Sequence, residues 1–365
     1  MANKKIMNKK YTNFFRSRQR NGIIEVYRFL LISIVFICHF FLDKSILGKV
    51  NSDIYLSQIF NGGICVVAFT IVSGYFLKNN TKYRWTAVTM IVVYSLFLFL
   101  LTLILYFSLN QRHETILEWI KNSLFFSNDY AWWYIYIYAI ILMISPLINK
   151  FLSQVNKWWT LGLIIVMISM NTLIFKPFNY NFILSQKDFI RVLIGYMIGV
   201  WIGFYIKLKQ VRTLTISLGS FILLFIPYLL YNWGENPIIP HDNWFVENII
   251  QFNNDVAFFR MYIPMSITIF VLSASQFLAN KIEKLKIDYF FNYLGEISVP
   301  FFLIHEVLII SLCYIEPKFN GFSNCAFFII YFISFSISAF FAKPLNVLIS
   351  TINSYYSKSS AKVIQ

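Results

Sequence analysis

The sequence predicts an all-α, polytopic integral membrane protein with about ten transmembrane helices and with both termini on the cytoplasmic side. Three observations support this fold class. Of the 365 residues, 58% are hydrophobic and only 13% are charged, whereas soluble domains carry roughly 25% charged residues. Apolar runs of about 20 residues, the length that crosses a bilayer as a helix, recur along the chain. Finally, Lys and Arg are spread unevenly over the segments that join these runs.

The apolar runs divide the chain into a basic cytoplasmic tail at 1–22, a transmembrane domain at 23–350 and a second cytoplasmic tail at 351–365. The predicted spans are 23–42, 58–77, 86–109, 131–149, 158–175, 189–206, 213–232, 262–280, 292–315 and 324–350. Two outer loops stand out. Loop 233–261 is long and rich in Asn, Pro, Trp and acidic residues, which is typical of a functional loop. Loop 110–130 has apolar residues at helical spacing, which predicts an interfacial helix.

The basic residues support this number of spans and its orientation. With the N-terminus inside, twenty of the 31 Lys and Arg residues fall in inner segments and eight in outer loops, while Arg28, Arg191 and Lys343 lie inside spans. This bias follows the positive-inside rule, which also accounts for the formal net charge of +15. We therefore expect this positive charge to interact with the lipid bilayer of the cell membrane (the cytoplasmic, or inner, membrane). We do not expect the protein to bind nucleic acid.

The first span carries three ionisable residues on one face. Glu25, Arg28 and His39 are spaced three and eleven residues apart, and at about 100° per residue these steps return to nearly the same direction. Arg28 and His39 would lie about 16 Å apart along the axis. Ionisable residues inside a span usually face a bundle interior or a wet cavity and mark a functional path. The alternative is that Glu25 and Arg28 pair at the membrane edge while His39 is a polar anchor near the other edge.

The ninth span, YLGEISVPFFLIHEVLI, carries Gly295, Ser298, His305 and Glu306. If both helices run from inside to outside, the depths of His305 and His39 differ by only about 5 Å. Two histidines at similar depth on separate spans predict a shared cavity. Glu306 points about 100° away from His305, so it could instead pair with a third helix.

Three further motifs have both a structural and a functional interpretation. The second span ends SGYFL, where Ser73 and its glycine neighbour would ordinarily serve helix packing. The next turn, KNNTKYRW, holds Lys82 and Arg84, which could be plain positive-inside charge or could hold an anion. The fourth span opens AWWY, where Trp132 and Trp133 would ordinarily form an aromatic belt.

These motifs resemble the membrane-bound acyltransferase 3 family. The first-span pattern of that family is an acidic residue, then Arg three residues on, then His eleven further on, as in Glu25, Arg28 and His39. Its ninth-span pattern, Leu-Gly-x-x-Ser followed by aromatic-Leu-Ile-His, is similar to the segment that ends at His305.

The chain departs from the family pattern at two places. In the second span, Cys65 and Val67 stand where the family often has Gly and then Asp or Pro. The basic turn lacks the paired arginines at the usual spacing. If this turn helps to bind the phosphates of coenzyme A, the residues that bind them differ from those of the family pattern.

The resemblance implies an O-acyltransferase that uses acetyl-CoA as its acyl donor and holds no bound cofactor. Family members move an acyl group, usually acetyl, from cytoplasmic acetyl-CoA to hydroxyl groups of envelope glycans. The SGYFL type of second span is common among capsule or exopolysaccharide acetyltransferases. We therefore expect a cell-surface glycan or its lipid-linked sugar precursor as the acceptor, with acetyl and succinyl both open as the acyl group. Some members carry a fused domain that finishes the transfer, so an envelope biosynthesis partner protein is a further expectation.

Residue roles follow from chemistry and resemblance together. A histidine in a partly desolvated cavity can be a general base or a transient acyl carrier, and an Arg suits an anionic donor. No metal site is expected. The predicted catalytic residues are His39, His305 and Glu25. The predicted substrate-binding residues are Arg28, Ser73, Lys82, Arg84, Trp132, Trp133, Ser298 and Glu306.

Two other classes of membrane protein share some of these features. A transporter or flippase for lipid-linked glycans also has many spans with buried charges, but inverted repeats or paired broken helices would be expected and the sequence has neither. A glycan polymerase would use catalytic arginines in a large outer loop, and loop 233–261 holds only Arg260.

The charge distribution leads to a topological prediction. A reporter fused after Lys82 or Lys209 should be cytoplasmic, and one inserted in loop 233–261 should be external, because of the positive-inside rule. Reporter activity or thiol labelling in intact cells measures this. An external signal at Lys209 would contradict the ten-span arrangement and, with it, the common depth of the two histidines.

Overall fold

The computed structural model describes residues 21–42, 62–79, 89–90, 92–97, 99–101, 133–173, 186–232, 257–285, 287–315 and 325–363. Within these residues, all regular secondary structure is α-helical. The helices are α1 (Gly22–Leu42), α2 (Gly62–Leu77), α3 (Trp133–Gln154), α4 (Lys157–Leu173), α5 (Gln186–Tyr205), α6 (Val211–Asn232), α7 (Ala257–Leu285), α8 (Asp288–Ile315) and α9 (Cys325–Val363). The described residues of 89–101 are also helical.

The all-α fold is confirmed, and the hydropathy of the helices supports a membrane protein. Among the described residues, four helical segments are long and apolar enough to cross a membrane by length and composition: Gly22–Phe40, Ile137–Gln154, Met261–Ala279 and Phe328–Ser354. Other described helices are apolar but shorter. The count of ten spans and the cytoplasmic position of both termini stay predictions.

At the C-terminal end of the chain, the structure differs from the division into segments that the sequence predicts. Helix α9 continues to Val363, through most of the segment predicted as a tail at 351–365. The sequence of its last turns is polar and contains Ser and Lys, so these turns do not need to lie in the apolar part of a membrane. The predicted interfacial helix at 110–130 and the loop at 233–256 lie outside the described residues.

Helix α1 lies in the interior of the bundle, where it contacts α2, α7 and α8. Ile24, Phe36 and Cys38 are almost fully buried. The packing of α1 against α8 is parallel and in step. Near the start of both helices, a Cβ on Gly22 would lie 2.9 Å from the Cβ of Phe291. Further along, the ring of Phe36 lies 5.8 Å from that of Phe301.

Hydrogen bonds fix the start and the rotation of α1. The side chain of Asn21 caps the helix, because its Oδ1 accepts from the Ile23 amide at 3.2 Å. The Tyr27 hydroxyl lies 3.0 Å from the Thr268 hydroxyl on α7. Such interhelical bonds average about 0.6 kcal/mol in membranes, so they orient the helix more than they hold it in place.

Helices α2 and α5 approach each other at the level of the backbone. A Cβ on Gly74 would collide with the carbonyl oxygen of Tyr196, and one on Gly199 would collide with that of Ile71. In the bilayer, helices associate through close packing of this kind, because lipid removes the hydrophobic driving force between them. The packing interpretation of the Ser73-Gly74 pair is therefore confirmed for Gly74.

Candidate functional site

The acidic and basic residues of α1 form an ion pair. Arg28 Nη1 donates to Glu25 Oε2 at 2.8 Å, and the side chains are 25% and 9% exposed. The guanidinium carbon of Arg28 lies 4.9 Å from the centroid of the Phe69 ring on α2, a cation–π contact. Among the described residues, Glu25 is the one ion-pair partner of Arg28, and the guanidinium has five N–H donors. The side chain can thus hold Glu25 and an external anion at the same time.

A glycine of α8 makes room for this ion pair. The carboxylate of Glu25 lies against Gly295, where a Cβ would collide with Oε2 and would lie 2.7 Å from the carboxyl carbon. This explains in physical terms why a glycine stands at this point of the ninth-span motif. Helix α8 therefore sets the position of Glu25, and Glu25 in turn orients Arg28.

The two predicted histidines are in direct contact. His39 Nδ1 lies 3.1 Å from His305 Nε2, and the ring centroids are 5.2 Å apart. His305 is fully buried, while His39 is partly buried. The similar depth of the two residues, predicted from helix rise alone, is what permits this contact.

The hydrogen bonds of His305 determine which nitrogen carries each proton. His305 Nδ1 lies 3.0 Å from the carbonyl oxygen of Phe301, and because a carbonyl only accepts, Nδ1 carries a proton. The ring packs against Phe36 and Phe302, each 5.7 Å away between centroids. A charge there would be costly without a counterion, so His305 is neutral and its Nε2 accepts. His39 Nδ1 then donates, which places the lone pair of a neutral His39 on Nε2.

An apolar cavity of about 40 Å³ lies between the ion pair and the histidines. On α1 its wall is Leu31, Ile32 and Val35, one face of the helix between Arg28 and His39. The other lining residues come from α2, α3, α8 and the helical stretch near Met90. They are Cys65, Val66, Phe69, Met90, Tyr94, Tyr134, Tyr138, Val299 and Phe302.

Two of the lining rings connect the cavity to the polar groups. Phe69 lines the cavity and also contacts the Arg28 guanidinium. Phe302 lines the cavity and also contacts the His305 ring. Tyr94 and Tyr134 line it as well. The cavity therefore runs along α1 from the cationic group to the imidazole pair.

The predicted serines bond within their own helices. Ser298 Oγ donates to the Gly295 carbonyl at 2.7 Å and is fully buried. Ser73 Oγ donates to the Phe69 carbonyl at 3.0 Å and accepts from the Tyr138 hydroxyl at 2.9 Å. Ser73 thus holds Tyr138 at the cavity wall, whereas Ser298 lies on α8 between the ion pair and His305.

The remaining predicted binding residues are not described at the level of side chains. Lys82, Arg84 and Trp132 lie outside the described residues. Trp133 and Glu306 are described as helical backbone only, at the start of α3 and next to His305 on α8. Their roles stay predictions.

Lys78, from the same basic turn, has a structural partner. Its Nζ donates to the carbonyl oxygen of Gly203 near the end of α5 and lies 5.0 Å from the centroid of the Tyr75 ring. Partial burial lowers the pKa of the Lys78 ammonium from its ordinary value. A lysine near a helix C-terminus also complements the helix dipole.

Sequence reasoning missed most of the cavity wall. Tyr134 stands in a segment typical of an aromatic belt, but it is buried, stacked on Tyr138 and in contact with Phe302. A signal was present in α1, since Leu31 and Val35 share a face with Arg28 and His39. Apolar residues at that spacing are also what plain helix packing requires, so the pattern alone could not identify a cavity.

The contact of Glu25 with Gly295 generates a prediction. Gly295→Ala should lower the free energy of unfolding by about 1–3 kcal/mol, the usual effect of overpacking a core, and should reduce activity because Arg28 loses its orienting partner. Thermal unfolding of the detergent-solubilised protein measures the first effect. Gly219→Ala is the matched control, because a Cβ at Gly219 on α6 meets no atom within 4 Å. If Gly295→Ala acts by displacing Glu25, its effect on the free energy of unfolding and that of Glu25→Ala do not add. Full additivity of the two effects would contradict this explanation.

Comparison with known proteins assigns the family. No curated protein and no solved structure matches the chain significantly. A family model described as an acyltransferase domain matches residues 21–343, the bulk of the chain and all of the site described above. The chain belongs to the acyltransferase 3 family.

Proposed function

We propose that this protein is a membrane O-acyltransferase that moves an acetyl group from cytoplasmic acetyl-CoA to a hydroxyl group of a glycan. The observation that carries the proposal is the hydrogen-bonded pair of His39 and His305 at one end of an apolar cavity, with Arg28 at the other end. The acceptor is a capsular or exopolysaccharide glycan or its lipid-linked precursor, and the enzyme resides in the cytoplasmic (inner) membrane.

Arg28 is the donor-binding residue in this proposal. Acetyl-CoA is highly anionic, and a planar guanidinium binds phosphate oxygens through two parallel N–H groups. Glu25 and Phe69 hold the guanidinium from two sides, so little side-chain freedom is lost on binding. Lys82 and Arg84 supply further positive charge for the phosphates.

His39 is the general base for the acceptor hydroxyl. The hydroxyl proton moves to His39 Nε2 while the oxygen attacks the thioester carbonyl carbon. The carbon–sulfur bond then breaks, and the departing coenzyme A thiolate takes the proton back from the imidazolium. His305 Nε2 accepts from His39 Nδ1 throughout, which orients the ring and stabilises its positive charge. His305 is therefore a positioning residue.

The acceptor reaches the histidines from the outer side of the membrane. His39 lies near the C-terminal end of α1, which is the outer end if the N-terminus is inside. Trp132, Trp133 and Glu306 are the proposed acceptor residues, since aromatic faces and hydrogen-bonding groups suit a sugar. An envelope biosynthesis partner protein could present or receive the glycan there.

The donor assignment predicts the effect of Arg28→Lys. Lysine keeps the positive charge but lacks the planar fork, so the variant should raise the apparent KM for acetyl-CoA several-fold. The measurement is transfer of labelled acetyl from acetyl-CoA to glycan in membranes that contain the protein. Arg212→Lys, at an exposed position of α6, is the matched control. Unchanged acetyl-CoA kinetics for Arg28→Lys would remove Arg28 from the donor site.

The transfer mechanism predicts the effect of His39→Ala. Loss of a general base costs about 10² to 10⁴ in rate, so this variant should nearly abolish acylation while the protein still inserts and accumulates. Acyl transfer is measured per membrane-inserted molecule. A variant that retains half of the wild-type turnover would end the assignment of His39 as the base.

A pair of substitutions at His305 separates positioning from packing. Gln keeps an acceptor oxygen for His39 Nδ1, whereas Leu keeps apolar volume without an acceptor. His305→Gln should therefore retain much more activity than His305→Leu. Equal activity of the two variants would mean that the hydrogen bond has no role in transfer.

A further inference from the structure

We propose that the residues around the α3–α4 and α5–α6 turns form a binding site for the headgroup of an anionic phospholipid. The site consists of five exposed cations and two exposed tryptophans, called here the basic-aromatic patch: Lys150, Lys157, Trp158, Trp159, Lys207, Lys209 and Arg212. The inference does not depend on the proposed function, because none of these residues belongs to the proposed acyl-transfer site.

Hydrogen bonds bring the two turns together at one end of the bundle. Trp201 Nε1 on α5 donates to the Lys157 carbonyl at 3.1 Å, and the Tyr205 hydroxyl donates to the Val155 carbonyl at 2.8 Å. Tyr205 is the last residue of α5, so the α5–α6 turn follows it directly. The distribution of Lys and Arg predicts that both turns are cytoplasmic. In this topology, the patch faces the inner leaflet of the membrane.

The exposed tryptophans are the first argument that the ligand is a lipid. Trp158 is 67% exposed and Trp159 is 78% exposed, in the first turn of the apolar helix α4. Indole rings at the end of an apolar helix are typical of the headgroup level of a bilayer. The Lys157 ammonium lies 5.0 Å from the centroid of the Trp158 ring. The start of α4 therefore presents a cation and an aromatic ring at the same point.

The charge of the patch is the second argument, and it selects an anionic lipid. Helices α3, α4 and α6 and the two turns contain no Asp or Glu, so no acidic residue of these segments offsets the five cations. The N-terminal ends of α4 and α6 lie at the same turns and add the partial positive charge of the helix dipole. Each Lys or Arg near an anionic membrane surface strengthens binding about 5-fold.

A lipid site of this kind differs from an aromatic anchor in a measurable way. Tryptophans that act only as an anchor would contact zwitterionic and anionic lipids according to their abundance. The basic-aromatic patch should instead enrich anionic lipid around Trp158 and Trp159. Because these two indoles are part of the patch, their fluorescence reports on the lipid that surrounds them.

The experiment measures quenching of tryptophan fluorescence by brominated lipid. The full chain is reconstituted in vesicles of equal parts phosphatidylglycerol, which is anionic, and phosphatidylcholine, with bromine on one lipid or on the other. The difference between wild type and the double variant Trp158→Phe/Trp159→Phe isolates the signal of the patch from the other tryptophans. At low ionic strength, brominated phosphatidylglycerol should quench this signal at least about 2-fold more than brominated phosphatidylcholine. High salt should remove the difference.

A triple variant removes three charges of the patch: Lys157→Gln, Lys207→Gln and Lys209→Gln. All three side chains are exposed, and the variant should lose most of the preference for phosphatidylglycerol. Arg212→Gln alone should lower the preference and serves as the second variant if the triple variant does not accumulate. Equal quenching by the two lipids in wild type, or an unchanged preference in the patch variants, would overturn the proposal.

The matched control removes three charges from the basic N-terminal segment: Lys4→Gln, Lys5→Gln and Lys9→Gln. This control should keep the preference of wild type, because it leaves the patch intact. An equal loss of preference in the control and in the triple patch variant would mean that net charge alone attracts the lipid, which would also overturn the proposed site.

Discussion

The structure of the site depends on the buried carboxylate of Glu25, which α8 accommodates because position 295 has no side chain. A buried ion pair is costly to break, because removal of one partner leaves an uncompensated charge. The pair therefore fixes the distance and the register between α1 and α8. From Gly295 to His305 is ten residues, and from Glu25 to His39 is fourteen. At the rise of an α-helix these separations are about 15 Å and about 21 Å, a difference small enough for the two side chains to bridge.

The histidine pair lies in the interior of the bundle, where polar groups need hydrogen-bond partners from the protein itself. Every buried donor and acceptor needs a partner, and His305 has one for each ring nitrogen: the Phe301 carbonyl and His39. The aromatic rings around it exclude water and hold its plane. The consequence is a defined tautomer of His39, set by a residue that need not touch substrate. The catalytic proposal rests on this asymmetry between the partly buried His39 and the fully buried His305.

Sequence reasoning predicted what helix geometry alone determines. The shared face of Glu25, Arg28 and His39 and the common depth of His39 and His305 depend only on the rise and turn per residue. The hydrogen bond between the histidines depends on the faces that α1 and α8 present to each other, which no local pattern encodes. The cavity has the same limitation, since its wall combines four helices and the stretch near Met90. Ser298 shows the converse, because a serine in a motif is as well suited to bond its own helix as to bind a ligand.

The separation of Arg28 from His39 has a physical reason under the proposed function. Phosphate groups of a donor are too strongly hydrated to be brought deep into an apolar bundle, so they must stay at the level of the cation near the cytoplasmic end. The thioester is uncharged and can be desolvated at low cost. The described side chains that line the cavity between the cation and the base carry no charge, so this stretch favours the uncharged arm that links the phosphates of the donor to its thioester.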